Sequence, residues 1–233
     1  MSVDSDIVCG PIITIDGPAG SGKTTTAKEL ASRLSFRHLD SGALYRAITY
    51  ALVKEGIPPE RWISLVDTDL DNIGVNVSLE DAKIGICLNG EPLFSELRTT
   101  EVTECVPVVA SLKVVREWLL GIQRKIGMLG NLVADGRDMG AVVFPEADLK
   151  IFLVADLEAR ARRRLLQNFV VSPSPEEIMT EAKIIKNRDF TDTAREFSPL
   201  RRPKDSFELD TTSLSFEEQV SLILSMAEDL TTI

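Results

Sequence analysis

A β-branched run that passes straight into a glycine-rich, lysine-bearing loop, and then into a helix-like run, constrains this chain more than any other feature. The stretch is IITIDGPAGSGKTTTAKEL, residues 12–30. It fits the spacing G-x-x-x-x-G-K-[ST] at Gly17, Gly22, Lys23 and Thr24, with Pro18, Ala19, Gly20 and Ser21 inside the loop and Thr25 behind it. Glycines let the backbone wrap a phosphate with its N–H groups turned inward. A helix starting at Lys23 aims its positive end at the same anion. Lys23 supplies a cation for β- and γ-phosphates, and Thr24 a hydroxyl for Mg²⁺. The pattern predicts a nucleoside triphosphate site over Gly17 to Thr25. It leaves the reaction open: a motor, a switch, a binding module or a kinase would all carry it.

Strand-like and helix-like runs alternate along the chain. Strands are expected at Ile12 to Asp16, Phe36 to Leu39, Leu132 to Asp135, Leu149 to Val154 and Ser206 to Leu209. Helices are expected over Lys23 to Leu34, Ala43 to Val53, Thr103 to Met128, Glu158 to Asn168, after Ser172 or Ser174, and over Phe216 to Leu230. This alternation predicts a mainly parallel sheet with helices on both faces. One region differs. VNVSLEDAKIGICLNGEPLF alternates apolar residues, with turns at Glu80-Asp81 and Asn89-Gly90. It reads as a small antiparallel insertion over residues 71–108, within a core of residues 10–70 and 109–233. Ligands in open parallel sheets sit beyond the carboxyl ends of the strands. Gly17, Asp40, Asp135 and Asp156 all follow strand candidates, so one shared cleft is expected.

Composition narrows the partners. The formal net charge of −10 repels nucleic acid and anionic membranes, so neither is expected as a partner. A phosphate site must therefore draw on local cations, and arginines do cluster at 160–164 and 188–202. No apolar run approaches the roughly 20 residues that cross a bilayer. MSVDSDIVCG at the start is acidic and lacks a signal-peptide pattern, which with Cys9, Cys87 and Cys105 scattered and unpaired predicts a cytoplasmic protein. The cysteines read as packing residues. His38, the one histidine, reads as structural.

Phosphoryl transfer demands positioning and charge neutralisation. A kinase should then show a second anion site and mobile arginines, and three stretches supply them. LDSGALYRA (39–47) places Ser41, Tyr45 and Arg46 after a strand. ADGRDMG (134–140) ends a strand in Asp135, suited to Mg²⁺ directly or through water, with Arg137 and Asp138 in the turn. A carboxylate there accepts a hydrogen bond from an exocyclic amine, as Asp or Glu does from cytosine N4. RDFTDTAR (188–195) spaces Arg188, Asp192 and Arg195 along one helix face, as a closing lid over phosphates would or as an ordinary surface ladder would.

Taken together, IDGPAGSGKTT, LDSGALYRA, LRTTEV, VVRE with QRK, VADGRDMG, VVFPEADLKIFL, EARARRR with Gln167, RDFTDTAR with SPL, and DTTSLS give a resemblance to bacterial cytidylate kinases, from about residue 12 to residue 218. These enzymes phosphorylate CMP and dCMP with ATP. The resemblance implies a P-loop NTPase α/β fold of the adenylate-kinase-like kind. It would have five parallel strands, the antiparallel insertion as a monophosphate-binding part, and a helical lid over about residues 160–195. It implies that Ser41, Arg116 and Asp138 approach the cytosine, and that Arg46 and Arg137 hold the CMP phosphate. Arg188 and Asp192 would reach the CMP ribose and phosphate. Arg195, Arg160 and Arg164 would face the transferring phosphates and ATP. Lys23, Arg137, Arg188 and Arg195 are then the catalytic set. Thr24 and Asp135 would serve Mg²⁺, and a monomer is expected.

Two positions depart from the family pattern. Pro107 stands where a serine often gives a second contact to the base, which implies looser base selection unless Thr103 or Ser111 compensates. Thr191 replaces a frequent basic residue. Kinases for UMP, AMP or a shikimate-like alcohol, and a regulatory nucleotide-binding module without transfer, remain alternatives at this stage.

Overall fold

The computed structural model describes residues 10–80, 83–167 and 171–230. The order is β1 (Ile12–Asp16), α1 (Lys23–Leu34), β2 (Arg37–Asp40), α2 (Ser41–Lys54), a 3₁₀ turn (Pro59–Ser64) and α3 (Asp67–Asn72). Then come β3 (Val75–Glu80), β4 (Lys83–Leu88), β5 (Glu91–Pro92), α4 (Thr100–Val109), α5 (Lys113–Gly127) and β6 (Leu132–Gly136). After a π-turn (Met139–Val143) follow β7 (Leu149–Val154), α6 (Leu157–Gln167), α7 (Pro175–Ala194), β8 (Phe207–Asp210) and α8 (Phe216–Ala227).

Five strands form a parallel sheet in the order β2-β6-β1-β7-β8. All residues of β1 and β6 are buried, as strands covered on both faces must be. One face packs Ile13, Ile15, Val133 and Ile151 against Ala27, Leu30 and Ala31 of α1 and Ile223 of α8. The other packs Leu39, Leu132 and Ala134 against Leu44, Ile48, Val109, Val115 and Leu119. The register sets Asp135 beside both Ile15 and Asp40, and Asp16 beside Gly136. The chain therefore leaves β1, β2 and β6 side by side, and the cleft forms at these three exits.

β3, β4 and β5 make a separate antiparallel sheet. Asn89 and Gly90, both with positive φ, turn β4 into β5. The other expected turn runs into Asp81, outside the described residues, as do the first nine residues with Cys9, and Asn168 beyond α6. Cys87 and Cys105 are free and half-buried. No helix among the described residues is long and apolar enough to cross a membrane.

Two expectations need correction. The helix expected over Thr103 to Met128 is two helices, broken across residues 110–112. Its apolar periodicity continues through the break because α4 and α5 bury faces in the same core, at Val102, Val106 and Val109, then Val115, Leu119 and Ile126. Asp156 does not reach the cleft. It is exposed and caps α6 by accepting from Ala159 N at 2.6 Å. Of the two serines weighed as a cap for α7, Ser174 is the one, in a capping box with Glu177.

Candidate active site

The donor loop joins β1 to α1. Gly17 passes so close to β7 that a Cβ there would lie 2.2 Å from the Leu153 carbonyl oxygen, so only glycine fits. Lys23 is buried, and its Nζ donates to Pro18 O at 2.6 Å and to Ser21 Oγ at 3.4 Å. Burial, and then the neighbouring Arg137, pull its pKa well below the ordinary lysine value. A phosphate beside it would favour the ammonium form.

A cavity of about 510 Å³ opens in front of this loop, lined by Ala19, Gly20, Gly22, Lys23, Thr24 and Thr25, and on its far wall by Arg46, Arg98, Arg137, Arg164 and Arg188. A second cavity of about 160 Å³ adjoins it. Its walls hold Ser41, Arg46, Arg116, Arg137, Asp138, Arg188 and Asp192, with Tyr45, Val106, Ala110 and Arg195. Thr24, Arg46, Arg98, Arg137 and Arg188 line both. The junction is thus a ring of guanidinium groups around one donor-loop hydroxyl.

Elements far apart in sequence build that second cavity. Asp40 caps α2 by accepting from Ala43 N at 3.0 Å, which presents Ser41 and Arg46 from the first turns. Arg46 is held by Leu97 O at 3.0 Å and Thr103 Oγ1 at 2.9 Å. Arg116 shares the buried stripe of α5 with Leu119 and Gln123, and Gln123 donates to Ser41 Oγ at 3.1 Å. Arg116 forms a buried ion pair with Asp138 and lies over the Tyr45 ring, 5.3 Å from its centre. Burial pulls the Arg116 pKa down, but Tyr45 and Asp138 more than offset it and hold it above the ordinary value. Arg137 Nε donates to Asp192 Oδ2 at 2.8 Å, and Arg195 pairs with the other oxygen. Burial would raise the Asp192 pKa; Arg137 and Arg195 hold it below the usual carboxylate value.

Arg188 stands apart. Its side chain makes no hydrogen bond or ion pair among the described residues, and its Nε is buried without a partner. Burial, and then Arg137, push its pKa down to about 10. A half-buried guanidinium without an ion-pair partner, at the junction of two cavities, suits an anion.

Thr24 Oγ1 donates to Asp135 Oδ2 at 2.6 Å, and His38 Nε2 lies 2.7 Å from Asp135 Oδ1. A hydroxyl and a carboxylate are hard oxygen donors. They suit Mg²⁺, which takes one or two protein oxygens and fills its shell with phosphate and water. No group of three His, Cys, Asp or Glu that would hold a metal unaided occurs among the described residues. His38, expected to be structural, orients that carboxylate.

Other expected residues lie elsewhere. Gly17, Pro18 and Ser21 form the base of the donor loop rather than its open wall. Arg164 lines the larger cavity, paired with Glu181 at 2.9 Å. Arg160 lines neither; it is buried behind the loop, donating to Ala155 O and Ala19 O, each at 3.0 Å. Arg195 lines the smaller cavity only. Pro107 lines neither cavity, though Val106 and Ala110 on either side line the smaller. Thr103 is engaged with Arg46, and Ser111 is exposed and bonded to Val108 O, so neither hydroxyl serves that cavity. Sequence reasoning missed four residues. Arg98 and Gln123 sit inside quoted motifs, Gln123 one heptad from Arg116. Asp189 and Asp16 also lie in quoted motifs, RDFTDTAR and IDGPAGSGKTT, but nothing in their spacing assigned either of them a partner. Asp16 accepts from Met139 N at 2.9 Å and Gly140 N at 2.8 Å, fixing the turn that carries Arg137 and Asp138. A further pocket beside the donor loop, walled by Arg163, Leu166, Gln167, Leu214, Phe216 and Gln219, offers mixed apolar and polar surface.

A family model described as Cytidylate kinase matches residues 13–229. The chain is 41% identical to a cytidylate kinase of Chloroherpeton thalassium over 223 residues, covering 94% of each chain. It is 43% identical to one of Carboxydothermus hydrogenoformans, covering 92% of this chain and 96% of the other. Among solved structures, an uncharacterized protein from Eubacterium ventriosum aligns with a TM-score of 0.50 at 12% identity, over 94% of this chain and 98% of that one, a likeness of fold alone.

Proposed function

Because the chain belongs to the cytidylate kinase family, we propose that it transfers the γ-phosphoryl group of ATP to CMP or dCMP, giving ADP and CDP or dCDP. The observation that carries this reading is Arg188, half-buried and without an ion-pair partner among the described residues, where the donor-loop cavity meets the second cavity. Two phosphates of opposite origin would meet there.

ATP lies along Gly17 to Thr25, with its base in the pocket beside Phe216 and Gln219. CMP lies in the smaller cavity. Its cytosine faces Ser41, Arg116 and Asp138, and its phosphate faces Arg46, Arg137 and Arg188, with Asp192 steering Arg137. An oxygen of the CMP phosphate attacks the γ-phosphorus, and ADP leaves. That oxygen is largely ionised at neutral pH, so no general base is needed. Lys23, Arg137 and Arg188 spread the charge that develops. Thr24 and Asp135 would hold Mg²⁺, which lends electrostatic support to the phosphates when bound. Residues 10–70 and 109–233 act as the core, residues 71–108 as the part that closes on the acceptor, and about 160–195 as the lid. The protein acts as a monomer in the cytoplasm, within pyrimidine nucleotide metabolism.

ADP release from ATP and Mg²⁺, followed with CMP, dCMP, UMP, AMP or no acceptor, tests the reading. It requires strong release with CMP and dCMP. ATP binding with no acceptor-dependent release would leave a nucleotide-binding module instead.

A further inference from the structure

Ala19 of the donor loop is held on three sides by the two helices beyond β7. Its N–H donates to Asp189 Oδ1 of α7 at 2.9 Å. Its carbonyl accepts from Arg160 Nη1 of α6 at 3.0 Å, and the same nitrogen pairs with Asp189 Oδ2 at 2.5 Å. Its methyl group, 4% exposed, belongs to a small apolar cluster with Ala161, Ile178 and Ile185 from those helices. The next residue is in close contact too: a Cβ at Gly20 would meet Arg160 O at 3.1 Å, and Gly20 has φ of +75°. The donor loop is therefore docked into the core of the α6–α7 hairpin.

The same stretch of α7 faces the other way into the acceptor cavity. Arg188 precedes Asp189, and Asp192 follows three residues later. Successive helical residues diverge by about 100°, so one turn can send Arg188 and Asp192 to one side and Asp189 to another. Asp192 is tied to Arg137, and Arg188 lines both cavities. A single rigid turn thus touches the donor loop through Asp189 and the acceptor site through its neighbours.

We propose that Asp189 is a positioning residue that couples the two nucleotide sites, transmitting the setting of α7 by the acceptor to the donor loop at Ala19. The inference rests on the kinase reading and deepens it. An acceptor phosphate gathered by Arg188 and Arg137 fixes α7. Asp189 and Arg160 then fix Ala19, so the second nucleotide meets a loop already ordered. Coupling of this kind is reciprocal.

Calorimetric titration of CMP, alone and in saturating Mg²⁺ and ADP, tests this in the native protein and in Asp189→Ala and Asp189→Asn. The native protein should bind CMP at least about fivefold more tightly with ADP present. In Asp189→Ala this enhancement should fall to about twofold or less, with CMP affinity in the absence of ADP unchanged. Asp189→Asn keeps the shape and an oxygen for the Ala19 N–H but loses the charge facing Arg160, and should lie between the two. Full coupling in both variants overturns the proposal. So does a native protein without coupling, or an equal loss of CMP affinity with and without ADP, which would make Asp189 merely structural. Failure of the kinase reading would show separately, as absence of CMP-dependent ADP release by the native protein.

Discussion

Thr24, on the first turn of α1, donates its hydroxyl proton to Asp135 at the end of β6, with 2.6 Å between Oγ1 and Oδ2. This bond closes the donor loop onto the neighbouring strand, and His38 holds the carboxylate from its other side. Asp135→Ala should leave Thr24 without its acceptor and raise the Mg²⁺ concentration for half-maximal turnover by about tenfold or more. Turnover measured across a magnesium series checks this. An unchanged midpoint would remove Asp135 from the metal site.

Asp138 and Arg116 are both nearly enclosed, each side chain 6% exposed. Their pairing leaves directed polar edges toward the cavity, as recognition of a base edge requires. Asp138→Asn should lower the ratio of kcat/KM for CMP over UMP by about tenfold. Asp138→Ala should do the same and also destabilise the fold, because Arg116 is left buried and uncompensated. A ratio unmoved in Asp138→Asn would take this carboxylate out of base selection.

Pro107 lies inside α4, where it removes a backbone donor and costs helix stability. Pro107→Ser should stabilise the protein by up to about 3 kcal/mol. It should also raise the CMP-over-UMP ratio a few fold if its hydroxyl joins the wall that Val106 and Ala110 now form. Thermal melting and the two kinetic constants separate the effects. A raised Tm with an unmoved ratio assigns the position to helix stability alone.

Burial pushes Asp16 up to about 7 from the ordinary 3.8, opposed by the Gly140 and Met139 N–H groups. The native state therefore keeps a proton that the unfolded chain has lost, and the group's contribution to stability falls as pH rises from about 4 to about 7. Above pH 7 it is flat. Asp16→Asn has no such titration. Native stability minus variant stability should fall across that window by an amount on the order of a few kcal/mol. Urea denaturation at pH 5 and pH 8 measures it. A difference independent of pH would mean that the two N–H groups and Lys23 fully offset burial.

Local features were legible in the sequence. The donor loop is one continuous stretch whose glycines, lysine and threonine act on one ligand, so its role follows from order alone. The capping box at Ser174 and the strand ends at Asp16 and Asp135 are equally local. The acceptor site draws Ser41, Arg116 and Asp138 from three distant motifs. Nothing in their spacing states that they meet; the family resemblance does. Arg160 shows the limit. A basic helix near phosphates looks like a phosphate clamp, but this guanidinium is engaged by Ala19 O and by Asp189, on another helix. The break between α4 and α5 was hidden because it carries no glycine or proline, and Leu112 gives no side-chain cap.

The most direct test follows the phosphoryl group itself. ATP labelled at the γ-phosphate is incubated with CMP, Mg²⁺ and the protein, and the label is traced by ³¹P NMR or chromatography. The label should appear in the β-phosphate of CDP, matched one to one by ADP, and Lys23→Ala should suppress its appearance while the protein stays folded. Label released as free phosphate, or CDP formed equally well by Lys23→Ala, would contradict transfer across the junction of the two cavities.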